Sequence, residues 1–100
     1  MSRSLAGSIT HRALYTVTTA SPSDGGTGYH VGDIIRPLTN RTIINARLRV
    51  EEIDDEDGAV TDLSVIRGGI FLLQTVATLS TTDETGTGTG CTAVLSFNLI

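Results

Sequence analysis

The 100-residue sequence contains no tryptophan and no lysine, and it has only one cysteine. A single cysteine, Cys91, cannot form a disulfide within the chain, and it has no histidine near it in sequence to act as a partnering base. The longest apolar run, residues 70–73, is far shorter than the roughly 18 residues that a membrane-spanning helix needs. The sequence therefore predicts neither a disulfide framework, nor a thiol enzyme, nor a membrane protein.

Positive charge is also scarce: the chain has seven arginines and eleven acidic residues, so its net charge is −4. Non-specific binding to nucleic acids needs a basic surface that displaces counterions, so we expect no nucleic-acid partner. Arginine donates hydrogen bonds in a planar fork, which favours specific contacts with carboxylates or at interfaces. The first four residues are not followed by an apolar stretch, so no secretory signal is predicted.

Patterns typical of β-strands recur along the chain, and no stretch keeps a clean helical period. Strands are predicted at residues 15–20, 33–38, 44–51, 59–66 and 93–99. Pro37 is expected to end the second strand or to place it at a sheet edge. The third strand alternates apolar residues with polar ones, and Asp57-Gly58 predicts a hairpin turn after it. The prediction is an all-β fold, a compact antiparallel sandwich or small barrel.

Residues 1–14 differ from the rest because their patterning is weak. They are either a frayed end or an arm that orders against a neighbouring subunit. The apolar residues Leu5, Ile9 and Leu14 favour the arm. We therefore predict an extended N-terminal arm at 1–14 and a β domain at 15–100.

No segment of the sequence has the spacing of a known metal, phosphate or catalytic site. The acidic turn at residues 54–58 lacks the calcium-loop spacing, and the glycine-rich stretches lack the lysine and the helix of a phosphate loop. His11 and His30 have no ligand spacing and no catalytic partners. We expect no catalytic residue, no metal and no cofactor, and hence no enzyme.

Five segments, in order, resemble small glycine- and threonine-rich β modules of bacteriophage structural proteins. Residues 25–33 (GGTGYHVGD) match the first motif, and the alternating strand of residues 46–50 follows it. Residues 58–65 (GAVTDLSV), the Gly68-Gly69 turn and residues 86–93 (GTGTGCTA) complete the series. The turn departs from the usual pattern, in which an aromatic residue directly follows a glycine, because Ile70 follows Gly69 here and Phe71 comes one position later. Such modules are found in fibres, tail parts and capsid-surface proteins.

The resemblance implies a virion role, and we expect a capsid decoration (cement) protein on the outer head shell. The chain begins at Met1 and holds a single module, which favours this over one repeat of a long fibre. The expected partners are the major capsid protein or other virion proteins and further copies of the chain, with a homotrimer favoured; synthesis is expected in the host cytoplasm. The predicted interface residues are Arg3, Leu5, Ile9, Arg12, Arg47, Arg49, Ile70, Phe71 and Leu72. A tail or fibre component, such as an adaptor or receptor-binding module, and a small carbohydrate-binding domain remain as alternatives.

Overall fold

A computed structural model describes residues 13–72 and 77–100 of the chain, and eight β-strands account for most of them. The strands are β1 (Tyr15–Asp24), β2 (Ile34–Pro37), β3 (Thr42–Ile44), β4 (Arg47–Ile53), β5 (Val60–Arg67), β6 (Ile70–Phe71), β7 (Ala77–Asp83) and β8 (Thr92–Leu99). The predicted all-β class is confirmed. No α-helix of membrane-spanning length and apolar character occurs among the described residues.

The strands form one antiparallel sheet in the order β3-β6-β1-β8-β7-β2-β4-β5. The longest ladder joins β1 to β8, from Tyr15 opposite Leu99 to Asp24 opposite Thr92. β5 and β1 lie five places apart in this order, yet two backbone hydrogen bonds link them. Each bond joins a residue of one strand to the residue that directly follows the other strand. Val17 N–H donates to Gly68 O at 3.1 Å, and Val60 N–H donates to Gly25 O at 2.9 Å. The sheet therefore curves around its core until β5 approaches β1.

The core lies inside this curve and is built from alternate residues of the strands. Leu48 and Val50 of β4 point inward, together with Ile35 of β2 and Leu95 of β8. Every one of these four side chains is fully buried. At about 25 cal/mol per Å² of apolar surface, such residues supply most of the driving force for folding.

One strand prediction needs correction. Residues 44–51 do not form one strand, because Asn45 interrupts the ladder: its side chain donates to Pro37 O and accepts from Ala46 N–H. Ile44 consequently leaves the core face and is 44% exposed. Of the two outcomes predicted for Pro37, the first occurs: β2 ends there, and it lies between β4 and β7. The apolar run that starts at Ile70 begins with β6, and β7 starts at Ala77.

Candidate partner interface

One end of the sheet exposes a group of large apolar side chains, and we call it the arm end. It comprises β3, β6, the first residue of β1 and the last residues of β8. The strand pairing places these elements side by side: Ile44 lies opposite Ile70, and Tyr15 lies opposite both Phe71 and Leu99. The exposed side chains there are Ile43 (61%), Ile44 (44%), Leu99 (66%) and Ile100 (66%). Because exposed large apolar side chains that gather at one end of a fold are typical of association sites, this end is a candidate interface.

The predicted arm leaves the domain at this same end. Leu14 O accepts a hydrogen bond from Ile100 N–H at 2.9 Å, which places the arm's root beside the exposed end of β8. Residues 1–12 lie outside the described part of the chain, and so do the predicted interface residues Arg3, Leu5, Ile9 and Arg12.

Phe71 is predicted from the sequence as an interface anchor, and that prediction is wrong. Its side chain is fully buried, and its ring meets the edge of the Phe97 ring with 5.1 Å between centroids. It faces the core because it shares its side of the sheet with Tyr15 across the β6–β1 pair. The neighbours Ile70 and Leu72, also predicted as anchors, are half-buried.

The predicted interface arginines Arg47 and Arg49 lie on the outer side of β4, but acidic residues of the same chain pair with both. Arg49 donates to Glu51 at 2.7 Å, and Ser64 Oγ donates to the other oxygen of that carboxylate at 2.6 Å. The Ser64 hydroxyl and the Arg49 guanidinium together lower the pKa of Glu51. Arg47 shares Glu84 with Arg36, at 3.8 and 3.3 Å. These charges are therefore less available to a partner than the sequence suggests.

The opposite end of the sheet is formed by three connections, residues 25–33, 54–59 and 84–91, and we call it the loop end. Backbone hydrogen bonds tie the connections to one another. Gly28 N–H and Tyr29 N–H donate to Asp57 O and Gly58 O at 2.9 and 3.1 Å. Thr27 and Thr89 exchange a pair of bonds at 2.9 and 3.0 Å. Three of the five segments that carry the phage resemblance therefore meet in space, and they serve the packing of the loops.

Tyr29 is the centre of the loop end. Its side chain is only 1% exposed, and its hydroxyl accepts a hydrogen bond from Cys91 N–H at 3.1 Å. Burial raises the pKa of Tyr29. A Cβ on Gly88 would lie 2.3 Å from the Tyr29 ring, so only glycine lets the 84–91 connection lie flat against it.

Cys91 is fully buried and stands immediately before β8. Burial raises the pKa of its thiol, which keeps the sulfur protonated and unreactive. Its carbonyl accepts hydrogen bonds from Thr81 N–H at 3.2 Å and from Thr81 Oγ1 at 2.8 Å. The residue therefore joins β7 to the Tyr29 hydroxyl and has a structural role.

Two aspartates, Asp33 and Asp83, lie side by side at the loop end. A Cβ on Gly86 would lie 2.7 Å from Asp33 Oδ2 and 2.8 Å from Asp83 Oδ2. The Asp83 carboxylate accepts three backbone N–H groups, from Thr85, Gly86 and Gly88. Burial raises the pKa of Asp33; the bond from His30 N–H opposes the rise, and the Asp83 carboxyl adds to it. Burial and the neighbouring Asp83 carboxyl therefore both oppose the ionisation of Asp33.

The substitution Asp33→Asn is expected to stabilise the protein at neutral pH. A folded-state pKa above the unfolded value means that the folded chain binds more protons, so stability falls as the pH rises through that pKa. The amide that this substitution introduces still accepts from His30 N–H through its oxygen, and its nitrogen donates to Asp83 without ionising. Thermal unfolding should show a higher midpoint for the variant at pH 7 and a shrinking gap toward pH 4.

Asp62→Asn is the matched control for this comparison, because Asp62 is exposed. A gap between wild type and Asp33→Asn that stays constant from pH 4 to pH 7 would contradict a raised pKa of Asp33. Glu51 has a lowered pKa and therefore stabilises the folded chain more at high pH, which is the opposite dependence. Because wild type and variant both contain Glu51, its effect cancels in the difference between their unfolding midpoints.

All eleven acidic residues lie in the three loop-end connections or within three residues of them. They are Asp24, Asp33, Glu51, Glu52, Asp54, Asp55, Glu56, Asp57, Asp62, Asp83 and Glu84. Within the described ranges, no three His, Cys, Asp or Glu side chains are grouped so that they could hold a metal ion. The arm end, in contrast, contains no acidic residue and carries Arg41 and Arg67 nearby.

The aromatic side chains offer no platform for a sugar ring, since none of the four, all of which the structure describes, is exposed. Tyr29 and Phe71 are buried, and Tyr15 and Phe97 pack half-buried against the core.

Compared with protein-family models, with curated proteins and with solved structures, the chain matches none of them.

Proposed function

We propose that this chain is a structural protein of a bacteriophage virion, a decoration protein that binds the outer head shell and stabilises it. The observation that carries the proposal is the order of five matching segments along residues 25–93. Taken from Tyr15 to Phe97, the resemblance extends over about four-fifths of the chain, and the order of its segments is harder to match by chance than any one of them.

Two structural observations support this proposal. Glycines and threonines of three matching segments hold the loop end together through backbone hydrogen bonds and close packing. The exposed isoleucines and leucines gather at the arm end, next to the root of the arm. A rigid β domain with one apolar end and a leading arm suits attachment to a large protein surface.

The mechanism is passive. A protein that binds only the assembled shell stabilises it by mass action, by about 2.7 kcal/mol per site when its free concentration is about 100 times the dissociation constant. Apolar anchors of the arm, Leu5 and Ile9, supply affinity, while Arg3 and Arg12 set the register against acidic groups of the shell. Arg47 and Arg49 have a smaller part, because Glu84 and Glu51 already pair with them.

Removing residues 1–12 is expected to abolish most of the shell binding and to leave the fold intact. The deletion keeps Leu14, whose carbonyl closes the last bond of the β1–β8 ladder. Losing two buried apolar anchors corresponds to at least a tenfold weaker association, at about 1.5–3 kcal/mol for each side chain. The measurement is cosedimentation of the full and shortened chains with isolated heads of the phage that encodes the protein.

Isolated tails of the same phage serve as the control surface, because a tail or fibre component is the second candidate. Binding to tails and not to heads would replace the decoration proposal with that candidate. Equal binding of the full and shortened chains to heads would contradict the role of the arm. The carbohydrate-binding alternative is disfavoured, because the burial of Tyr29 and Phe71 leaves no exposed aromatic face for a sugar.

A further inference from the structure

The arm end combines four exposed apolar side chains with an edge strand. β3 is the first strand of the sheet order, and among the described strands only β6 pairs with it. Two of its three residues, Ile43 and Ile44, are exposed. Edges of this kind associate with other chains unless charge or a covering segment prevents it, and neither β3 nor β6 contains a charged residue.

Charge decides which surface can cover the arm end. Arg41 and Arg67 lie beside it, and within residues 13–72 and 77–100 neither makes an ion pair with an acidic side chain. Arg12 precedes the described root of the arm by sequence. Two arm ends placed face to face would bring these arginines together without a compensating carboxylate. Two loop ends placed face to face would bring together the exposed acidic side chains of residues 54–57 from each copy. End-to-end pairing of like with like is therefore unfavourable.

Opposite ends are complementary in both charge and polarity. The exposed turn at the loop end carries Asp55 and Glu56, whose side chains make no hydrogen bond within the described structure. The loop end also exposes one large apolar side chain, Val31, at 56%. An arm end placed against it would cover Ile43 and Leu99 and would give Arg41 and Arg67 carboxylate partners.

We infer that the arm end of one copy docks on the loop end of a second copy of this chain. Such a contact joins two different patches, so each copy uses both of its ends, and the contact closes into a ring or continues as an open chain. A ring of three would give the trimer favoured by the proposed function. The contact itself does not rest on that function, because it needs no shell and no arm beyond its root.

The first test measures the mass of the purified full chain by light scattering after size exclusion, at micromolar concentration. We expect oligomers at about 20 mM NaCl and weaker association at about 500 mM, because salt screens exposed charge pairs. Ile43→Ser should raise the dissociation constant by about tenfold or more, from the lost burial of one apolar side chain. Leu38→Ser is the matched control, since Leu38 is 47% exposed but lies beside Ser80, away from the arm end.

The second test reverses the charges. Arg41→Glu/Arg67→Glu and Asp55→Arg/Glu56→Arg should each give monomers, and the chain that carries all four changes should regain the wild-type mass. Circular dichroism melting confirms that each variant is folded. A monomeric wild type at every salt concentration would overturn the inference. So would Asp55→Arg/Glu56→Arg oligomers of unchanged mass, which would place the loop end outside the contact.

Deletion of residues 1–12 separates this inference from the proposed function. The shortened chain should still form oligomers, because the apolar side chains of the arm end and Arg41 and Arg67 remain. It should at the same time lose binding to heads. Loss of oligomers together with retained shell binding would overturn the inference and leave the domain as the shell-binding part.

Discussion

Phe71→Ala is expected to lower the free energy of unfolding by about 3–5 kcal/mol, because it removes a fully buried aromatic ring and leaves a cavity. The ring also makes an edge-to-face contact with Phe97, at 5.1 Å between centroids. Aromatic pairs of this kind contribute about 0.5–1.5 kcal/mol beyond their burial. Phe71 sits in β6, the strand that connects β3 to β1. Its loss therefore loosens the whole arm end.

Chemical denaturation of the monomer at high salt measures this effect. Ile66→Ala is the control, because Ile66 is a large apolar strand residue that is 53% exposed, and we expect it to cost less than about 1 kcal/mol. If Phe71→Ala left stability unchanged and only weakened binding to a partner, the sequence-based assignment of Phe71 to the interface would be restored.

Gly26→Ala is expected to destabilise the protein more than Gly28→Ala by about 1–3 kcal/mol, the usual cost of overpacking. Both glycines have positive φ, +64° and +80°. Both substitutions therefore carry the cost of about 1–2 kcal/mol for a left-handed L-residue. A Cβ on Gly26 would lie 2.3 Å from Thr89 O and 2.6 Å from Cys91 N. A Cβ on Gly28 would meet nothing closer than 3.6 Å.

Both variants carry the same backbone cost. Their difference in stability therefore measures how closely the 25–33 connection packs against the 84–91 connection. Urea unfolding of both chains at one pH gives the comparison. Because the atoms that crowd Gly26 belong to the backbone, the two loops must separate to admit a methyl group, and the Thr27–Thr89 bonds must lengthen. Equal losses of stability for the two variants would show that the loops are not in close contact.

Local signals in the sequence predict the turns and the alternation of the strands. The hairpin at residues 54–59 forms where Asp57-Gly58 predicts it, with Gly58 at a φ of +75° and Asp54 N–H bonded to Ala59 O. β4 alternates as its period indicates, with Leu48 and Val50 inside and Arg47 exposed. Turn preferences and side-chain alternation are set by neighbouring residues, so they can be recognised before the fold is known.

The errors concern contacts between distant residues. Phe71 follows a Gly-Gly turn in an apolar run, and nothing nearby in sequence says that Phe97 will cover it. Ile44 fits the period of β4, but the side-chain bonds of Asn45 break the strand before it joins. The site residues that the sequence missed, Asp33 and Asp83, are about fifty positions apart and meet only because β2 pairs with β7.

The sequence by itself determined that this protein is built of antiparallel strands with polar turns, because alternation and turn chemistry act over a few residues. It also indicated that residues 1–14 differ from the domain that follows them. Only the tertiary structure decided that the eleven acidic residues collect at one end and the exposed isoleucines and leucines of the arm end at the other. That separation follows from the strand order, which long-range pairing sets and which no local pattern encodes.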